Sequence, residues 1–134
     1  MIYEQNYQLL KQLVPDLETV PLETAHRKSK SNGYMDLSFE ILSWDPDQFT
    51  CAMAHYFEQN GDLVADPDME IRVIPSRQMA EALSYQDQFG FQMVYPEPGK
   101  VDLRAKKELN QFLGQWLQNL IAQGHKLIPE TQNK

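Results

Sequence analysis

The run His55-Tyr56-Phe57-Glu58-Gln59-Asn60-Gly61-Asp62-Leu63-Val64-Ala65-Asp66-Pro67-Asp68-Met69-Glu70 gathers the side chains best suited to chemistry. Asp62, Asp66, Asp68 and Glu70 offer carboxylate oxygens, the donors that calcium and magnesium prefer. Their spacing is not that of a calcium loop, which needs D-x-[DN]-x-[DN]-G and a later Glu. On a regular strand Asp66, Asp68 and Glu70 share one face, unless Pro67 creates a bulge. The bland reading is structural: Asp62 caps a turn, Asp66 and Asp68 shape a bulge, and Glu70 is solvated. The functional reading makes His55, Glu58, Asp62, Asp66, Asp68 and Glu70 a binding surface. No metal ligand, cofactor or catalytic residue is assigned.

Other chemistries find less support. Pro46-Asp47 and Glu70-Ile71-Arg72 loosely imitate the acids of metal-dependent nucleases, but arginine stands where a lysine is needed. Arginine cannot shed a proton to act as a base. His55 shares its strand row with Phe49, Cys51, Met53 and Phe57, which points to a core or boundary histidine. The chain has no G-x-S-x-G elbow, and its six glycines are scattered at turns and helix ends rather than gathered in a phosphate loop. Cys51 is the lone cysteine, so disulfides within the chain and cysteine-based zinc sites are excluded.

Charge is unevenly placed along the 134 residues, whose net charge is −7. Asp36, Glu40, Asp45, Asp47, Glu58, Asp62, Asp66, Asp68 and Glu70 lie between Ser31 and Ile71 with no Lys or Arg among them. Bases gather at His26-Arg27-Lys28-Ser29-Lys30 and at Lys100, Arg104, Lys106 and Lys107. Nucleic-acid binding draws its affinity from a dense basic face, so this balance argues against it. No apolar run approaches the ~18 residues of a membrane span. The first residues carry Glu4 among polar side chains, unlike a signal peptide. The expected location is the cytoplasm.

These residues need elements to position them. Tyr3, Tyr7, Leu10 and Val14 form a stripe at helical spacing, and Pro15 ends it. Pro15 to Gly33 shows no periodicity and reads as a long connection, mobile or functional. Met35 to Ile41, Gln48 to Phe57, Leu63 to Ile74 with an interruption at Asp66-Pro67-Asp68, Ala80 to Tyr85, and Phe89 to Tyr95 read as strands. Asn60-Gly61 is a strong hairpin signal, since both residues accept positive φ. Asp102 to Gln123 reads as a long helix with Leu109, Phe112, Leu113, Trp116, Leu117, Leu120 and Ile121 on one side. Gly124 marks its end and Pro129 follows. The sum is an α+β fold: an N-terminal helix, an antiparallel meander of about five strands, and a long C-terminal helix packed on one sheet face. The domain is expected over 1–128, with a flexible tail at 129–134.

Some stretches resemble a known family. Leu109-Asn110-Gln111-Phe112-Leu113-Gly114-Gln115-Trp116-Leu117, with Gly124 and Ile128-Pro129, looks like the YqiB-like family of small bacterial proteins. So do Asn6-Tyr7 through Leu13-Val14-Pro15, the hairpin HYFEQNGDLVADPDMEIRV, AEALSYQ and VYPEPGK. That family is a domain of unknown function. The resemblance implies a compact cytoplasmic bacterial protein and transfers no catalytic residue.

The sequence thus favours a non-enzymatic interaction or regulatory module whose acidic hairpin region meets a protein partner, as a monomer or homodimer. One alternative is a divalent-metal enzyme acting on a small or phosphorylated substrate. Another is an inhibitor encoded on mobile DNA that imitates nucleic-acid charge.

Overall fold

The computed structural model describes residues 1–20 and 26–129. Pro21, within the expected long connection, and the tail beyond Pro129 lie outside the described residues.

The first helix, α1, spans Ile2–Leu13 and buries Asn6, Tyr7, Leu10 and Leu13. Leu17 and Val20 are buried just after it. The sheet has six strands in sequential antiparallel order: β1 (His26–Ser29), β2 (Leu37–Trp44), β3 (Phe49–Gln59), β4 (Asp62–Ile74), β5 (Met79–Asp87) and β6 (Gly90–Met93). The second helix, α2, spans Leu103–Ala122, with the Asp102 carboxylate accepting from Ala105 N–H at 3.0 Å as its N-cap. Gly124 (φ +90) takes the left-handed position just past the helix end.

Both helices lie on one side of the sheet. Alternation builds the core between them: Leu37 and Phe39 from β2, Phe49, Cys51 and Met53 from β3, Met69, Ile71 and Val73 from β4, Ala80 and Ala82 from β5. They meet Tyr7, Leu10, Leu113, Trp116, Leu117 and Leu120 from the helices. Each large apolar side chain buried here contributes about 1.5–3 kcal/mol. The helices also touch each other closely. A Cβ on Gly114 of α2 would come within 2.8 Å of Asn6 Oδ1 on α1.

Two details depart from the sequence reading. The meander gains a first strand, β1, inside the stretch expected to be connection. Its inward residues are polar, Arg27 and Ser29, so no apolar alternation announced it. And β4 is not interrupted at Asp66-Pro67-Asp68. It runs on through a bulge, with Ala54 opposite Asp68 and Tyr56 opposite Ala65, and with the Asp66–Pro67 peptide cis. Asp66 and Pro67 share the position facing His55, the two-against-one count of a β-bulge.

Candidate functional site

The six residues read from the sequence do not form one constellation. Glu58 and Asp62 are exposed near the tip of the β3–β4 hairpin, where Asn60 (φ 55) and Gly61 (φ 85) make the turn. Asp66 is displaced into the bulge, and its field reaches Tyr85, whose phenol is pushed up to about 12 by burial, Asp87 and Asp66. His55 points the other way from the open acidic row and is buried under α2. Its Nδ1–H donates to the Asp36 carbonyl at 2.8 Å, and its ring meets Trp116 edge-on at 5.6 Å. Asp68 and Glu70 alone stay together.

Strand register shows what joins them. Along the face that neither helix covers, one cross-strand row reads His26, Glu40, Ala52, Glu70, Ser84, Met93. The next reads Lys28, Ser38, Ala54, Asp68, Gln86, Phe91. Glu40, Asp68 and Glu70 therefore surround the small side chains of Ala52 and Ala54, with exposed Tyr56 at one end. Burial, then Glu70 and Glu40, raise the Asp68 carboxyl above the usual carboxylate range. Burial, Asp68 and Glu40 likewise raise the Tyr56 phenol. Negative charge is crowded here and not neutralised in full. Glu40 escaped the sequence reading. It alternates with Phe39 and Ile41, but its place beside Glu70 follows only from the β2–β3–β4 register. Among the described residues no three His, Cys, Asp or Glu side chains gather in a way that could hold a metal ion.

A second polar group sits at the β5 edge. Glu81 accepts from Tyr95 Oη at 2.5 Å and pairs with Lys106 Nζ at 3.2 Å and Arg72 at 3.4 Å. Lys106 also donates to Tyr95 Oη at 3.0 Å. Tyr95 and Glu81 raise the Lys106 pKa, so this lysine stays protonated and cannot serve as a base at neutral pH. The cluster ties α2 to β5.

A third group is buried between β1 and the segment after α2. Arg27 grips Asp16 through its two terminal guanidinium nitrogens, at 2.6 and 2.7 Å, and donates to the Leu127 carbonyl at 3.1 Å. Ser29 Oγ accepts from Lys126 N–H at 3.0 Å and lies 2.9 Å from His125 Nδ1. Burial, then the neighbouring His55 ring at 6.1 Å, hold the His125 pKa below the ordinary imidazole value. The sequence showed Arg27 only as one of a cluster of bases in a long connection; the structure makes it an interior brace.

A groove of about 800 Å³ runs between α1 and α2 and is lined mainly by amides such as Gln5, Gln8, Gln111 and Gln115. It holds neither His55 nor an acid from 58–70.

A family described as a domain of unknown function (DUF6908) matches residues 6–126. The chain belongs to the DUF6908 family. No curated protein and no solved structure matches it. The YqiB-like likeness rests on the quoted residues alone. In this DUF6908 domain the open face of the sheet is the surface that the polar residues mark, and among the described residues no helix is long and apolar enough to cross a membrane.

Proposed function

We propose that this DUF6908 domain is a non-enzymatic interaction module that offers the open face of its sheet to a basic partner in the cytoplasm. The observation that carries this reading is the strand register that sets Glu40, Asp68 and Glu70 around Ala52 and Ala54 on a face covered by neither helix. Like charges gathered on one face repel, here across the small side chains of β3 between Glu40 and Glu70 and along β4 between Asp68 and Glu70. A partner bringing Lys or Arg to this face relieves that repulsion on binding. Ala52 and Ala54 keep the floor of the face low, and Tyr56 adds an aromatic contact at its end, a residue type favoured at interfaces. The reading also fits the scattering of His55, Glu58 and Asp62 away from Asp68 and Glu70.

The test is affinity capture from cells of the source organism, with wild type beside a Glu40→Gln/Asp68→Asn/Glu70→Gln variant. The variant is expected to fold normally by circular dichroism and to lose a salt-sensitive partner at least tenfold. Equal recovery of that partner by both proteins overturns the proposal.

A further inference from the structure

The outer edge of β6 is short, four residues, but carries none of the other usual protections against strand pairing. Edge strands are ordinarily guarded by charge, proline, a bulge or a covering segment. β6 is Gly90-Phe91-Gln92-Met93: uncharged, without proline, in regular register with β5, and exposed at every residue. The opposite edge strand differs, because β1 carries His26, Arg27 and Lys28 and anchors the segment after α2 through Arg27 and Ser29. The β5 edge beyond β6 is also closed, since Asn110 Oδ1 accepts the Ala82 N–H. Apolar surface gathers where protection is missing. Phe91 and Met93 stay 54% and 43% exposed. Phe89, in the β5–β6 turn, is exposed too, as are Val101 and Leu103, which flank the Asp102 N–H bonded to the Val94 carbonyl.

Register decides which backbone groups are free. Gln88-Phe89 is a two-residue turn closed by the Asp87–Gly90 pair. Bonded and non-bonded pairs alternate along an antiparallel ladder. Val94 N–H donates to Leu83 at 2.9 Å, which fixes the phase of that alternation. Tyr85–Gln92 is then the bonded pair between, and the N–H and C=O groups of Phe91 and Met93 turn outward.

We infer that β6 pairs antiparallel with β6 of a second copy of this chain, about a two-fold axis through Gln92. Phe91 exchanges both hydrogen bonds with the partner's Met93, and Met93 does the same with the partner's Phe91. The side chains agree with the backbone. Phe91 and Met93 lie on the open face, opposite Gln86 and Ser84, so each apolar residue meets the other across the axis. Gln92 falls opposite the partner's Gln92 on the other face. No charged pair is forced together, although each chain carries −7, because Ser84 and Gln86 separate Glu70 and Asp68 from the axis. A second copy suits this edge because the same two residues supply every matching donor, acceptor and apolar side chain, the self-complementarity of a two-fold interface. The two acidic faces then lie side by side on one continuous sheet and present a bivalent surface.

Gln92→Cys tests this directly. Non-bonded antiparallel pairs bring Cα atoms to about 4.5 Å, within disulfide reach. Cys51 is buried and does not compete. Mild oxidation is expected to turn Gln92→Cys into a covalent dimer that dithiothreitol reverses. Phe91→Cys is expected to stay uncrosslinked, its partner copy lying beyond the roughly 7 Å Cα limit. Wild type is expected to sediment at twice its 15.6 kDa chain mass, and Phe91→Lys as a folded monomer. A monomeric wild type at high micromolar concentration overturns the inference. So does crosslinking of Phe91→Cys as fast as Gln92→Cys, or an edge that pairs only with a strand of another protein. Capture of a basic partner by monomeric Phe91→Lys is read separately, so the interaction proposal stands or falls on its own result.

Discussion

Asn110 holds three elements with one residue. Its Oδ1 accepts the Ala82 N–H of β5 at 2.8 Å, its Nδ2 donates to the Lys106 carbonyl of α2 at 2.7 Å, and its own carbonyl accepts Asn6 Nδ2 of α1 at 3.2 Å. Ala82 is fully buried, so no water can replace the lost acceptor. A buried donor left without a partner costs about 1–3 kcal/mol. Asn110→Leu, close in volume, is therefore expected to destabilise the domain by about 2 kcal/mol in urea denaturation, with little change in m-value. A loss below ~0.5 kcal/mol shows that the Ala82 N–H finds another acceptor. The same reasoning separates two kinds of polar residue in this molecule. Asn110 is buried with its side-chain oxygen and nitrogen both bonded, and Arg27 is buried and paired with Asp16. Asp68 and Glu70 are half-buried and crowded, which is why the second pair marks a surface for binding.

At the scale of elements, the α1–α2 contact turns on Gly114. Glycine inside a helix costs about 1 kcal/mol against alanine. Here the added methyl would press on Asn6 Oδ1, and Asn6 is buried and bonded to Asn110, so it cannot simply swing away. Gly114→Ala alone is expected to lower stability by about 1 kcal/mol. In an Asn6→Ala background the obstruction is gone, and the same change is expected to raise stability by about 1 kcal/mol. A double-mutant cycle by denaturant melts reads the sign, and the same sign in both backgrounds would refute the argument. These helices were legible because Leu109, Leu113, Trp116, Leu117 and Leu120 repeat at helical spacing and do enter the core. Strands β2, β3, β4 and β6 were legible through alternation such as Phe49, Cys51 and Met53, whereas Met79 to Leu83 also suits a helix turn and β5 was legible only as the strand that lets the meander continue. β1 was not, because Arg27 and Ser29 occupy its inward positions and their matches, Leu127 and His125, stand about a hundred residues away. The site was half legible on the same grounds. Alternation paired Asp68 with Glu70, but Glu40 joined them only through register, and the Pro67 bulge took Asp66 out of the row.

The whole molecule responds to pH through groups whose folded pKa values move in opposite directions. His125 lies beneath the segment that closes the domain, where Leu127 N–H donates to the Leu13 carbonyl at 2.7 Å and Arg27 holds the Leu127 carbonyl. Burial and His55 depress its pKa, while the Met35 carbonyl and Asp36 act the other way without prevailing. The unfolded chain takes up this proton near pH 6.5 and the folded chain does not, so stability is complete above that pH and declines as pH falls below it. Asp68 opposes this. Its raised carboxyl binds a proton earlier in the folded state than in the unfolded chain, so stability is recovered as pH falls toward about 4. Asp16, lowered chiefly by its hydrogen bonds to Arg27, contributes stability above about pH 4 that disappears in stronger acid. The guanidinium midpoint is therefore expected to fall between pH 7 and 5.5, level off, and fall again below about pH 4. His125→Asn removes the titrating imidazole and is expected to flatten the first decline while leaving the last one. Asp68→Asn removes the recovery, so its profile is expected to drop more steeply between the two. An unchanged slope from pH 7 to 5.5 in His125→Asn assigns that decline to other groups and removes His125 from the account.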